Sequence, residues 1–228
     1  MNAADREAVG GLHVPVVTLP VGDLDVKSVL SGEHAFAAVL IDGLLVRRIV
    51  VGESGTLRLL GPGDVIATHG GLTSSLVTST GWRAAAPTQV AMLGRDVLVA
   101  AHHAPRLVAG LQGRIAEQTD RVAVQLAICQ LPRVEDRVLS ILWLLAESWG
   151  QVTPLGTALR LRVTHETLGG LVGARRSTVT LALSQLAEEG AIVREEGGWI
   201  LRKLPPAFAD PRVARVPELL ARLETVPE

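Results

Sequence analysis

Residues 164–201 read THETLGGLVGARRSTVTLALSQLAEEGAIVREEGGWIL. Thr164 is a residue type that caps helix N-termini, and Glu166 falls in the first turn, where the helix dipole favours an anion. Gly173 is a typical residue at the end of a helix. The apolar residues between them recur at spacings of three and four and therefore share one face: Leu168, Leu171 and Val172. The pattern predicts a short helix followed by a turn.

A second helix is predicted after this turn, because apolar residues again form one stripe: Val179, Ala182, Leu183 and Leu186. Gly190 ends this helix. The segments 191–193 and 199–201 are rich in β-forming residues and flank a Gly-Gly turn, which predicts a hairpin. Two crossed helices followed by a hairpin predict a winged helix-turn-helix.

The beginning of the second helix is polar and basic. A helix fits the major groove of DNA with its first residues at the base edges, while the preceding helix crosses the phosphates. Arg160 and Arg162 add positive charge, and Glu166 is the one nearby carboxylate. A helical hairpin used for packing or protein contact is the alternative, but the basic residues and the hairpin favour DNA. The predicted DNA contacts are Thr164, His165, Arg175, Arg176, Ser177, Thr178 and Thr180.

The composition of the 228 residues limits the class of protein. A hydrophobic content of 48% and a mean hydropathy of +0.34 exclude a disordered chain. The net charge of −1 excludes a uniformly basic nucleic-acid coat but allows a local basic patch. The single cysteine, Cys129, excludes an internal disulfide. The N-terminus lacks the apolar segment of a signal peptide, and no apolar run approaches the ~20 residues of a membrane span. We expect a cytoplasmic protein with no membrane partner.

Residues 14–93 contain short β-rich runs separated by turn residues. The Asp42-Gly43 pair between the runs 35–41 and 44–51 is a strong hairpin signal. Many short strands at such spacings predict an antiparallel roll or barrel. The further strands are expected at 56–60, 65–67, 76–78, 82–84 and 89–93.

A long helix is predicted over residues 106–130. Its apolar stripe is so narrow that it needs a partner helix, and a second copy of the chain would supply one. The alternative is that the helix packs only on its own β-domain. The predicted dimer contacts are Leu107, Leu111, Ile115, Val122 and Leu126.

Pro132 ends the long helix, because proline lacks an N–H and clashes with the preceding turn. A new helix is predicted over 134–149, and a short one over 216–223. The predicted fold is α+β, with an antiparallel β-roll over 1–104, a dimerisation helix over 105–131 and a winged helix-turn-helix domain over 132–228.

The order of these parts resembles the Crp/Fnr superfamily of bacterial transcription regulators over residues 14–201. The likeness is most specific at 163–180, VTHETLGGLVGARRSTVT, which is similar to the family pattern T-x-x-x-[IL]-[AG]-x-x-[VLI]-G-x-x-R-x-T-V. GPGDVI at 61–66 resembles the turn that leads into the family's nucleotide cassette. The resemblance implies a cyclic-nucleotide-binding-like roll. It also places Arg176 and Ser177 at base-reading positions, and Thr178 and His165 at phosphate contacts.

The chain departs from this family at its ligand and base contacts. Cyclic-nucleotide binders use a Glu for the ribose and an Arg for the cyclic phosphate, and Thr68 and Thr78 stand at those positions here. We therefore expect no tight binding of cAMP or cGMP. Ser177 and Leu181 replace charged base-reading residues of cAMP-dependent members, so their target sequence does not carry over. The predicted effector pocket contains Val65, Ile66, Thr68, His69, Thr78 and Ser79.

Several alternatives stay open at this point. His69 falls where a haem-containing member of the family has a ligating histidine, but Ala67 replaces that member's thiolate, so we predict no cofactor. Cys129 could act as a redox sensor. A cupin-like enzyme needs a histidine cluster for its metal, whereas His34 and His69 are isolated, so we predict neither an enzyme nor a metal site. A ligand-independent dimeric DNA-binding or architectural protein is the remaining alternative.

The leading hypothesis is a homodimeric, sequence-specific transcription regulator. Its predicted partners are a second copy of the chain, double-stranded DNA with a two-fold symmetric operator and a small-molecule effector of unknown identity. RNA polymerase is a further candidate partner.

Overall fold

A computed structural model describes residues 11–26, 28–29, 35–67, 74–77 and 79–205. The chain divides into two compact units, Met1–Leu126 and Ala127–Glu228. Among the helices of the described residues, none is both long and apolar enough to cross a membrane.

The first unit contains two four-stranded antiparallel sheets, with strand orders β1-β8-β3-β6 and β2-β7-β4-β5. Their apolar faces form one core that includes Leu40, Leu45, Leu60 and Met92. The predicted antiparallel β-roll is confirmed. Its strands are β1 Val16–Leu19, β2 Gly22–Leu24, β3 Ala37–Asp42, β4 Leu45–Val51, β5 Ser54–Leu60, β6 Val65–Ala67, β7 Ser79–Ala84 and β8 Thr88–Leu93.

The hairpin predicted at Asp42-Gly43 is wrong, although the strands on either side are present. β3 pairs with β6 and β8, whereas β4 pairs with β5 and β7, so the chain changes sheets at this point. The buried hydroxyl of Thr88 accepts a hydrogen bond from the N–H of Leu44 at 3.2 Å and fixes the corner. Gly43 has φ +97°, and a Cβ there would lie 2.6 Å from the carbonyl oxygen of Pro87, so glycine is required. The β4–β5 pair forms the hairpin instead, with Val51 opposite Ser54.

The strand predicted at 76–78 is also wrong for its described part. Leu76 lies in a turn and is largely exposed, and its N–H donates to the hydroxyl of Ser74 at 3.3 Å. Such a side-chain contact within a turn competes with strand pairing. β7 begins at Ser79.

Two helices follow the roll: α1 Arg95–His103 and α2 Pro105–Cys129. Leu107 and Leu111 of α2 pack against a small core cluster that contains Val65 and Val97. The side-chain amide of Gln118 donates to the carbonyl of Val65 at 3.2 Å and accepts from its N–H at 3.1 Å. The first part of α2 is thereby fixed to β6, and the long helix predicted there is confirmed.

The first helix that lies wholly within the second unit is α3 Val134–Trp149, which has the predicted bounds. Two short strands follow, β9 Gly150–Thr153 and β10 Gly156–Leu159, which the sequence did not predict. They join the wing hairpin, β11 Ile192–Glu195 and β12 Gly198–Leu201, in a sheet of order β11-β12-β10-β9. The helix predicted at 216–223 lies outside the described residues.

Candidate nucleic-acid interface

The helix α4, His165–Val172, has both predicted caps. The hydroxyl of Thr164 accepts a hydrogen bond from the N–H of Thr167 at 3.1 Å. Gly173 ends the helix in the left-handed region with φ +65°. The predicted apolar residues are buried, which fixes the rotation of α4 on the core: Leu168, Leu171 and Val172.

The helix α5, Arg176–Glu188, follows after three residues and crosses α4 closely. The close approach depends on Gly169, because a Cβ there would lie 2.6 Å from the carbonyl oxygen of Ala174. The predicted apolar stripe is buried: Val179, Ala182, Leu183 and Leu186. Burial of this stripe leaves the opposite face of α5 to solvent.

The exposed face of α5 carries the residues that were predicted to contact DNA. Arg175 is the N-cap residue, and its side chain makes no capping hydrogen bond. The other exposed residues of this edge are Arg176, Ser177, Thr178 and Thr180, with Thr164 exposed at the start of α4. The structure therefore brings together the polar residues that the sequence assigned to one surface.

His165 joins the two helices on this surface. Its Nδ1 lies 2.9 Å from the hydroxyl oxygen of Thr180, and that hydroxyl donates to the carbonyl of Arg176 at 3.0 Å. The hydroxyl oxygen can then accept from an Nδ1–H tautomer of the imidazole. Burial lowers the pKa of His165 below 6.5, and the positive charges of Arg194 and Arg176 lower it further.

The wing adds a basic cleft beside α4 and α5. The cleft has a volume of about 760 Å³, and its lining includes Arg162, Arg176 and Arg194. Two carboxylates, Glu166 and Glu196, also line it. Three arginines against two carboxylates leave the cleft net positive.

Arg194 is the member of this surface that sequence reasoning missed. Its guanidinium lies 5.4 Å from the ring centroid of Trp199, its cross-strand neighbour, and that ring is 3% exposed. A cation held over a buried indole keeps a fixed position at low entropic cost. The position of Arg194 follows from the register of the wing, in which it stands opposite Trp199.

The residues predicted for dimer contact on α2 fall into two groups. Leu107 and Leu111 pack against the core cluster that contains Val65 and Val97. Ile115 and Leu126 are 48% and 64% exposed, and Val122 is partly exposed. Val108 is also exposed and lies on the same side as Ile115, seven residues before it. An apolar strip thus faces solvent along α2.

Three of the six residues predicted for an effector pocket are described. Val65 and Ile66 are buried in two different apolar clusters, and Ser79 is exposed at the start of β7. Thr68, His69 and Thr78 lie outside the described residues, so haem binding through His69 stays untested. Arg83 pairs with Asp23 at 3.0 Å, and both side chains are largely exposed.

Cys129, the residue considered for redox sensing, donates its thiol to the carbonyl of Leu171 at 3.4 Å. Burial raises the pKa of this thiol, and the charge of Arg137 opposes the shift. A raised pKa reduces the thiolate fraction and with it the reactivity. Within the described part of the chain, no three His, Cys, Asp or Glu residues are placed to hold a metal ion.

Comparison with known proteins identifies a family for part of the chain. The model of the Crp-like helix-turn-helix domain family matches residues 136–205, which include α4, α5 and the wing. A search of curated proteins finds no match.

Several solved structures share the fold of nearly the whole chain. A mutant of CooA from Carboxydothermus hydrogenoformans is 14% identical, with a TM-score of 0.66 over 92% of this chain and 96% of that one. FixK2 from Bradyrhizobium japonicum is 17% identical, with a TM-score of 0.63 over 90% of this chain and 100% of that one. The global regulator CLP of Xanthomonas campestris is 18% identical, with a TM-score of 0.57 over 89% of this chain and 100% of that one.

These findings confirm the predicted resemblance. Residues 136–205 match the Crp-like helix-turn-helix domain family, and the chain shares its fold with the solved structures of CooA and FixK2.

Proposed function

We propose that this chain, in which residues 136–205 form a Crp-like helix-turn-helix domain, is a cytoplasmic transcription regulator that binds specific double-stranded DNA as a homodimer. The observation that carries the proposal is the exposed polar edge of α5 beside a basic cleft. Helices of this kind read base edges with their first residues.

In this proposal α5 enters the major groove. Arg176 and Ser177 contact base edges, and Arg175, Thr178 and Thr180 contact either bases or the adjoining backbone. Thr164 and His165 contact phosphate at the start of α4, where the helix dipole favours an anion. Arg162 and Arg194 hold the backbone beside the wing, because a guanidinium binds phosphate with two parallel hydrogen bonds.

The homodimer is proposed to form along the exposed strip of α2. Val108, Ile115, Val122 and Leu126 recur at spacings of seven and four, and the same strip of a second copy would cover them. Two copies related by a two-fold axis would read half-sites about 34 Å apart. RNA polymerase stays a candidate partner of the assembled regulator.

The roll is proposed to bind neither cAMP nor cGMP tightly, since Thr68 and Thr78 carry no charge for a cyclic phosphate. The similar regulator CLP is described as responsive to c-di-GMP, which supports a sensory role for a roll of this fold. DNA binding is proposed to need no haem cofactor, and the protein without added ligand is therefore the form to test.

The test is selection of binding sites from random duplex DNA by the ligand-free chain, followed by sequencing. We expect enrichment of a two-fold symmetric site with half-sites one helical turn apart. Enrichment of asymmetric sites would contradict the homodimer. Absence of enrichment, both alone and with cAMP, c-di-GMP or haem added, would contradict sequence-specific DNA binding.

A further inference from the structure

Two arginines face each other across neighbouring strands of the roll. Arg47 on β4 and Arg58 on β5 are direct cross-strand partners in the antiparallel register. Like charges directly opposite one another destabilise a sheet, because their side chains lie about 5 Å apart at Cβ. The pair is therefore costly for the free protein unless something of opposite charge lies between the two guanidinium groups.

These arginines lie on the core face of their sheet. Residues two apart share a face, so Arg47 lies on the side of Leu45, and Arg58 on the side of Leu60. Leu45 and Leu60 both belong to the apolar core of the roll. Arg47 and Arg58 are only partly exposed, and burial lowers the pKa of both. Two cationic side chains thus lie at the edge of the apolar core, where the core borders solvent.

Neither guanidinium has a counter-ion among the described residues. The Nε of Arg47 is buried without a hydrogen-bond partner there, and its guanidinium lies 5.1 Å from the ring centroid of Trp82. Asp64 is the carboxylate whose negative charge acts on Arg58. That carboxylate already accepts a hydrogen bond from Arg121 of α2 and another, at 3.0 Å, from the N–H of Gly61.

The net charge around Arg47 and Arg58 is therefore positive. Among the described residues, three guanidinium groups, those of Arg47, Arg58 and Arg121, accompany the one carboxylate of Asp64, which leaves an excess of positive charge there. The indole of Trp82 forms an apolar wall against Arg47. Two guanidinium groups, one of them next to an apolar wall, suit a compact ligand with two negative charges.

We propose that Arg47 and Arg58 form an anion-binding site of the roll that takes a small dianion, either a phosphate ester or a dicarboxylate. The site lies on β4 and β5 and uses neither Thr68 nor Thr78, the positions at which cyclic-nucleotide binders of similar sequence hold their ligand. It does not depend on DNA binding by the second unit. Because Arg121 belongs to α2, the bound dianion would lie next to that helix.

Thermal unfolding of the full chain at constant ionic strength tests the proposal. The probes are inorganic phosphate, glycerol phosphate and succinate, with chloride and acetate as controls. We expect at least one dianion to raise the unfolding midpoint by roughly 5 to 10 °C at a hundred times its dissociation constant, whereas acetate has no such effect. The phosphate and succinate arms distinguish the two ligand classes. A wild-type chain that responds to none of the three dianions overturns the proposal.

Substitutions of single arginines test whether the dianion-induced rise of the unfolding midpoint depends on Arg47 and Arg58. Arg47→Met and Arg58→Met should each remove it, whereas Arg83→Met should retain it, since Arg83 lies on the opposite face of its sheet and pairs with Asp23. Arg58→Lys keeps the charge without the fork and should weaken binding about tenfold. In chloride alone, Arg58→Met should raise the midpoint, because it relieves the repulsion with Arg47. A dianion response that persists in both methionine variants, or a lower midpoint of Arg58→Met in chloride, overturns the proposal.

Discussion

The hydroxyl of Thr180 in α5 lies 2.9 Å from Nδ1 of His165, the first residue of α4. This contact joins the two helices at the surface proposed for DNA, on the side opposite their shared core. His165 therefore has two environments to satisfy. In the free protein its imidazole is partly buried and is acted on by the positive charges of Arg194 and Arg176. In the proposed complex it contacts phosphate.

The stability of the second unit should depend on the protonation of His165. Burial, Arg194 and Arg176 hold the pKa of His165 in the folded state below 6.5. The unfolded chain then binds the proton more readily, so stability is complete above about pH 6.5 and falls as the pH drops from there to the folded-state pKa. Urea unfolding at a series of pH values should show this decline.

The matched variant for this measurement is His165→Gln, which keeps a polar side chain but does not titrate. Its stability should vary less with pH between 6.5 and 5 than that of the wild type. Equal slopes for the two proteins would show that His165 is not responsible for the decline.

Arg176 should determine both the affinity and the specificity of DNA binding. Its side chain is exposed at the first residue of α5, the position from which a helix reaches base edges. Arg176→Ala should weaken binding to the selected operator by about 1–3 kcal/mol and relax the preference at one base pair of each half-site. Gel-shift titration against the operator and its single-base variants would measure both effects. The exposed Arg95→Ala variant of α1 is the control, and unchanged binding by Arg176→Ala would contradict the assignment.

Arg194 should act on affinity alone. Its guanidinium is held over Trp199 in the wing, where we expect it to meet phosphate rather than a base. Arg194→Ala should weaken binding to all sequences by a similar factor and reduce the slope of log K against log salt by about 1. Fluorescence anisotropy over a range of salt concentrations would measure this slope. A sequence-dependent loss with an unchanged slope would instead indicate a base contact.

The second unit was more predictable from sequence than the first, for a physical reason. Helix periodicity and caps are local signals, so the Thr164 cap, the Gly173 turn and the buried stripe of α5 could all be predicted from neighbouring residues. Strand pairing depends on distant residues. The Asp42-Gly43 pair is a local hairpin signal. The hydroxyl of the distant Thr88, however, accepts a hydrogen bond from the N–H of Leu44, and the chain passes to the other sheet at this point.

The same distinction applies to the candidate sites. The residues proposed to contact DNA lie within one continuous segment, and the structure places them on one surface. The Arg47–Arg58 pair depends on the register of β4 and β5, which no local pattern specifies. Arg194 was missed for a similar reason, because its position depends on pairing with Trp199 across the wing.

Gly169 should be required for the crossing of α4 and α5. A Cβ at this position would lie 2.6 Å from the carbonyl oxygen of Ala174, which is backbone and cannot move without shifting α5. Gly169→Ala should therefore lower the free energy of unfolding by roughly 1–3 kcal/mol and weaken DNA binding. The control is Gly113→Ala in α2, where a Cβ meets nothing within 4 Å and the better helix propensity of alanine should add about 0.5–1 kcal/mol. Chemical denaturation would measure both, and a stabilised Gly169→Ala protein would contradict the close crossing.

Leu126 should contribute to self-association through α2. Its side chain is 64% exposed and continues the strip of Ile115 and Val122, whereas Val124 is 45% exposed but lies about 200° around the helix from Leu126. Leu126→Glu would place a charge in the proposed interface, where its desolvation is unfavourable, and should raise the dimer dissociation constant roughly 100-fold. Val124→Glu adds the same charge to the same helix and should leave the constant unchanged. Sedimentation equilibrium on the two variants separates the alternatives, because an equal effect of both substitutions would mean that the strip of Leu126 is not the contact between copies.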